Sequence, residues 1–168
     1  LYVFDHLARP AKIVPLTADG MPQVSDDYRS WTFRVRPGIF FADDPAFKGQ
    51  PRELVAADYL FAFKRYADPA VKSQLWASVE NWKVPGLAVL RKQALDTKAP
   101  FDYDAPVAGM HLIDRYTFQL RLEEPRPRFI ESMAVSDLFG AVAREVALAY
   151  GDKVAEHPVG TGPFRLAQ

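Results

Sequence analysis

Two stretches of the chain alternate strictly between apolar and polar side chains. In WTFRVRPG, Trp31, Phe33 and Val35 fall on one face, and Thr32, Arg34 and Arg36 on the other. In YTFQLRLEEP, Tyr116, Phe118, Leu120 and Leu122 oppose Thr117, Gln119 and Arg121. A period of two predicts strands covered on one side and wet on the other. Pro37-Gly38 marks a turn after the first, and Pro125 ends the second because proline cannot donate to a ladder. Helical spacing appears in LVAADYLFAFKRYADP, where Val55, Tyr59, Ala62, Phe63 and Tyr66 form an apolar stripe that stops before Pro69. Asp58, Lys64 and Arg65 make its polar sector. Phe61 falls in that sector too, so it is expected to need cover from something, an absent neighbour being one source. PGLAVLRKQALD and RPRFIESMA predict two further helices. GAVAREVALAYG predicts a last one, with Val142, Val146 and Tyr150 aligned and Gly151 as its C-terminal glycine.

The segments between, FADDPAFKGQPRE and DTKAPFDYDAPVAG, are polar and broken by prolines, so they read as loops. The element order runs strands, helices, strands, helices, strand. One-sided strands do not suit a buried parallel sheet. The expected fold class is therefore α+β, a mostly antiparallel sheet flanked by helices.

Composition narrows the function classes. The 168 residues suit one domain with a real core. Basic and acidic residues number 21 each, which argues against a nucleic-acid binder and against a polybasic membrane anchor. There is no cysteine, so thiolate metal sites, cysteine nucleophiles and disulfides are excluded. No apolar run approaches the ~18 residues of a membrane-spanning helix. The chain opens on Leu1 within LYVFDHLARP, which suggests a piece of a longer or processed polypeptide.

Candidate chemistry is sparse. His6, His111 and His157 lie far apart and form no HExxH pattern. Asp26-Asp27, Asp43-Asp44 and Glu123-Glu124 are adjacent acids of the kind that form turns. No GxSxG nucleophile elbow is present. The loop HPVGTGPFRL offers two glycines near a threonine, but no Lys-Ser/Thr follows for a phosphate and no strand precedes it for a dinucleotide. It reads instead as a return loop. Gly160 and Gly162 supply backbone angles closed to other residues, and Pro163 sets the first residue of a strand. Trp76 and Trp82, in SQLWASVENWKVPG, are of a residue type that serves both cores and binding clefts. A hydrolase using a histidine and a carboxylate, or a stand-alone interaction module, remains an alternative at this level.

Taken in order, LYVFDHLARP, the stretch from KIVPLTADG to RPGIFFAD, ELVAADYLFAFKRYADP, HLIDRYTFQLRLEEPRP and HPVGTGPFRL resemble the family 5 extracellular solute-binding proteins. These are the oligopeptide- and dipeptide-binding components of bacterial ABC importers. Each motif alone is weak, but all five occur in order over nearly the whole chain. Three departures point to a subfamily: Val55 stands where the family often has an N-cap threonine, Ala62 replaces a helix serine, and ADDPAFKGQPRE is longer than the family's segment.

The resemblance implies a non-enzyme without cofactor or metal, one part of a two-lobed clamshell of the periplasmic-binding-protein-like II kind. Residues 1–156 would form the domain inserted into the first lobe, with a short incoming segment. Residues 157–168 would begin the strand that returns to the main lobe. A peptide or similar solute would be caught between the lobes and delivered to a membrane permease. The protein would be monomeric, periplasmic or at the cell envelope, and lipid-anchored in Gram-positives. The segment after Asp68-Pro69 is the one that can approach ligand, which makes Trp76 the candidate ligand-binding residue. Tyr28, Arg34 and Arg36 are expected to be sheet surface. Dipeptides, longer peptides, murein fragments, opines, nickel chelates and haem all remain open as solutes.

Overall fold

A computed structural model describes residues 1–135 and 139–163. Among the described residues there are six strands, β1 (Tyr2–Asp5), β2 (Lys12–Pro15), β3 (Gln23–Val24), β4 (Ser30–Arg34), β5 (Met110–Leu112) and β6 (Thr117–Arg121). The helices are α1 (Ala56–Ala67), α2 (Trp76–Glu80), α3 (Leu87–Thr97), α4 (Phe129–Met133) and α5 (Arg144–Tyr150). Strands β1 and β2 form a separate hairpin, while the main sheet has the order β3-β4-β6-β5. Every pairing among these strands is antiparallel, in agreement with the α+β expectation.

The two alternating stretches become the neighbouring central strands β4 and β6, with Phe33 opposite Phe118 and Trp31 opposite Leu120. Trp31, Phe33, Val35, Phe118, Leu120 and Leu122 are all buried on one face. On the other, the Gln119 side-chain amide donates to Thr32 Oγ1 at 3.0 Å, and Arg34 and Arg121 are exposed. Helix α1 covers the apolar face. The Tyr59 ring stacks on Phe118 at 5.7 Å, and Phe63 meets Trp82 edge-on at 5.6 Å. Trp82 also packs edge-on against Phe129 of α4, so it is a core residue.

Phe61 has the cover it was expected to need, and an absent neighbour does not supply it. It is only 7% exposed, and its cover comes from this chain: the Tyr103 ring lies 4.9 Å away and the Arg144 guanidinium sits 5.9 Å above it. Proline-broken loops and a later helix supply that lid, a long-range contact that helical periodicity alone does not register. Two helix starts also differ. Val55 is the extended residue before α1 rather than part of its stripe, with φ −130° and ψ 167°. Its side chain cannot cap, but the Asp58 carboxylate reaches back to accept from the Val55 N–H at 2.8 Å, the acidic half of a capping box. Helix α5 begins at Arg144, so Val142 precedes it; Ala143 is extended and Glu145 places its acid in the first turn.

The return loop is corrected in part. Neither Gly160 nor Gly162 adopts the left-handed conformation, and an added Cβ at Gly160 meets nothing nearer than 3.9 Å. The loop is held by the Ala42 N–H, which donates to the Gly160 carbonyl at 2.9 Å. The strand expected after Pro163 lies outside the described residues.

Candidate functional site

Trp76 is the first residue of α2, just beyond the 3-10 turn Pro69–Val71 that interrupts the chain after α1. Asp68 makes that turn by accepting from the Ala70 N–H at 2.8 Å, and its other oxygen takes the Tyr103 hydroxyl at 2.6 Å. Burial and this bond together push the Tyr103 phenol well above its ordinary pKa. The indole of Trp76 is half-buried, with the Arg91 guanidinium of α3 4.9 Å above its ring. Arg91 also donates to the carbonyl of Ala67, the last residue of α1, at 3.0 Å. One side chain thus ties the end of α1 to α3 and fixes the tryptophan plane.

A cleft of about 380 Å³ opens beside Trp76, between α2 and α3. Glu80, Lys83 and Glu123 supply charge at its walls, and Leu87 and Val89 supply apolar surface. An aromatic face flanked by both signs of charge suits a polar ligand with an apolar portion. Arg34 is an exposed sheet residue paired with Asp19 at 3.0 Å, and Arg36 donates to the Ala18 carbonyl. Tyr28 stands in a turn with φ 56° and is exposed.

The histidines do not converge. His6 and His111 are exposed, on the β1–β2 turn and on β5, while His157 stacks on the Tyr150 ring at 3.9 Å and 9°. Among the described residues, no three His, Asp or Glu side chains gather closely enough to hold a metal.

Sequence reasoning missed a second concavity of about 510 Å³, between α1, α5 and β5. Arg52 sits at one end, donating to both oxygens of the buried Asp58 at 3.0 and 2.6 Å and to Glu145 at 2.8 Å. Burial works to lower the Arg52 pKa, but the two carboxylates outweigh it and hold the guanidinium above its usual value. Burial pushes the Asp58 carboxyl up against the pull of its hydrogen bonds. At the other end Lys64 donates to the carbonyls of Tyr103 and Ala105 at 2.9 and 2.8 Å, and burial lowers its pKa. The signal available in the sequence was Asp58, an acid three residues after a helix start. Its pairing with Arg52 across a loop was not legible.

The model of the bacterial extracellular solute-binding proteins, family 5 Middle, matches residues 12–168. The chain belongs to this family. A dipeptide-binding protein of Escherichia coli is 29% identical over 153 residues, which is 87% of this family member and 25% of that relative. Di/tripeptide-binding protein 4 of Pseudomonas aeruginosa is 31% identical over 84% of the chain and 24% of its own length. Among solved structures, Haemophilus influenzae OppA in complex with RPPGFSPFR superposes with a TM-score of 0.70 at 25% identity, covering 100% of this chain and 29% of that one. Listeria monocytogenes OppA bound to peptide gives a TM-score of 0.72 at 19% identity, which speaks to the fold alone. This family 5 chain therefore spans about a quarter to a third of the relatives it matches.

Proposed function

We propose that the chain is the middle portion of a two-lobed receptor that captures peptides or similar solutes and passes them to the membrane permease of an ABC importer. Residues 1–156 serve as the domain inserted in the first lobe, and residues 157–168 lead back into that lobe's sheet. The receptor is a carrier rather than a catalyst. It works as a monomer in the periplasm or at the cell envelope, lipid-anchored where the organism is Gram-positive. The observation that carries this reading is coverage: the whole chain superposes on less than a third of peptide-complexed receptors, and its nearer relatives in sequence bear peptide-binding names. Trp76 is the residue assigned to ligand, because its ring is clamped by Arg91 at the wall of an open cleft.

Hinge closure around a ligand needs both lobes. Calorimetry with di- and tripeptides should therefore detect no binding by residues 1–168 alone and clear binding by the parent protein. Trp76→Ala in that parent should weaken binding about tenfold, the loss typical of a buried aromatic anchor. Micromolar binding by the isolated chain, or a parent indifferent to Trp76→Ala, would count against the respective assignment.

A further inference from the structure

Arg91 stands behind the aromatic ring assigned to solute. Its guanidinium lies 4.9 Å above the Trp76 ring and donates to the Ala67 carbonyl at 3.0 Å. Ala67 ends α1, so that carbonyl belongs to the last turn of the helix, where the dipole favours a cation. Trp76 lines the cleft of about 380 Å³ between α2 and α3, and Arg91 does not. The guanidinium and the cleft therefore lie on different sides of the indole. Arg91 acts on a molecule in the cleft only through that ring.

Shape and charge act separately here. A planar guanidinium can stack on an aromatic face and keep a directed bond at the same time, which a lysine ammonium does poorly. The indole is thus attached through its backbone to α2 and held at its back from α3. The face of an indole attracts a cation through the ring quadrupole. Arg91 already engages that attraction, so a second cation arriving from the cleft meets a weakened ring and a like charge. Glu80, Glu123 and Lys83 on the cleft walls are all exposed, so water and salt screen them. Leu87 and Val89 add apolar surface beside the ring. The open side of Trp76 is therefore suited to an apolar group without charge.

We propose that Arg91 positions Trp76 for solute and, from behind the ring, selects an uncharged apolar side chain there over a cationic one. This role rests on the assignment of Trp76 to solute and adds which class of side chain the ring takes. Arg91 is a positioning residue, since it holds the indole without lining the cleft. Its effect on binding must then vanish once the ring is gone.

The probes are the dipeptides Ala-Phe and Ala-Lys, titrated by calorimetry into the parent protein. Ala-Phe should bind about fivefold more tightly than Ala-Lys. Arg91→Ala should weaken Ala-Phe about fivefold and bring the two probes close to equality. Arg91→Lys keeps the charge and loses the plane, so it should weaken Ala-Phe while leaving it the preferred probe. The double variant Trp76→Ala/Arg91→Ala should bind Ala-Phe no more weakly than Trp76→Ala alone, because the two side chains act as a unit. Nitrogen relaxation of the indole N–H groups should show Trp76 loosened in Arg91→Ala, with the buried Trp31 and Trp82 unmoved as evidence of an intact fold. Ala-Lys bound as tightly as Ala-Phe by the unaltered parent, additive losses in the double variant, or a Trp76 indole still rigid in Arg91→Ala would each overturn the proposal. A loss in Trp76→Ala with none in Arg91→Ala would remove the role of Arg91 alone. A parent indifferent to Trp76→Ala would remove the solute assignment, and this role with it.

Discussion

Asp58 is the residue whose environment departs most from what its type prefers. It is 2% exposed and carries a formal charge, which is tolerable only because three donors meet it: two from Arg52 and the Val55 N–H. Removing one partner of a buried pair leaves the other charge desolvated and unmatched, at a cost of about 3–5 kcal/mol. Arg52 keeps Glu145 and some contact with water, so Asp58→Ala should fall near the lower end, about 3 kcal/mol, in urea unfolding. Asp27 is mostly exposed, and its bonds to Ser25 and Arg29 lie within its own turn. Asp27→Ala should therefore leave the midpoint almost unmoved. Equal effects from the two substitutions would mean that the Arg52 cluster does not anchor the start of α1.

At the scale of elements, what could be read from the sequence was set by length and by burial on one side. Strands β4 and β6 and helix α1 are long enough for their periods to show, and each buries one face. Strands β3 and β5 have two and three residues and α2 has five, too few for any period. The β1–β2 hairpin was hidden because Tyr2, Val3 and Phe4 are consecutive apolar residues rather than alternating ones. Residue type left Trp82 open between core and cleft, and the arginine over Trp76 comes from another helix and left no local trace. Gly109 is a similar case. A Cβ there would stand 2.6 Å from Pro85 Cδ, 2.7 Å from Val84 Cγ1 and 2.8 Å from the Arg121 carbonyl. The turn before α3 lies directly against the start of β5, and only glycine leaves room. Overpacking of this kind costs about 1–3 kcal/mol. Gly109→Ala should lower the thermal midpoint accordingly, whereas Gly160→Ala, with open space around it, should not.

Over the whole molecule, buried phenols set the alkaline limit of stability. Burial raises the hydroxyls of Tyr2 and Tyr103 well above 10.0 and that of Tyr59 to about 12. In the unfolded chain these groups ionise near pH 10, so between that value and their folded pKa the native state holds protons that the unfolded state has lost. Stability from a raised pKa is complete below the unfolded value and drains away as pH climbs through the folded one. Lys64 acts in the opposite sense, because burial lowers its pKa, but Tyr66 and Tyr150 are raised as well, so the phenols outnumber it. The acid side differs in kind. Glu53, Asp104 and Asp114 are held low by hydrogen bonds and ion pairs near the surface, so their contribution is present near neutrality and lost as pH falls below about 4. Exposed pairs are screened by salt, and buried phenols are not. Midpoints measured from pH 3 to 12 should thus give a plateau whose acid edge flattens in high salt and whose alkaline edge, from about pH 10, does not. Tyr59→Phe forfeits the 2.6 Å bond between its hydroxyl and Thr17 Oγ1, which lowers the plateau. It also removes one ionising group, so the alkaline fall should become shallower. An alkaline edge unchanged in slope by Tyr59→Phe, or one that moves with salt as the acid edge does, would show that the surface pairs rather than the tyrosine core govern both limits.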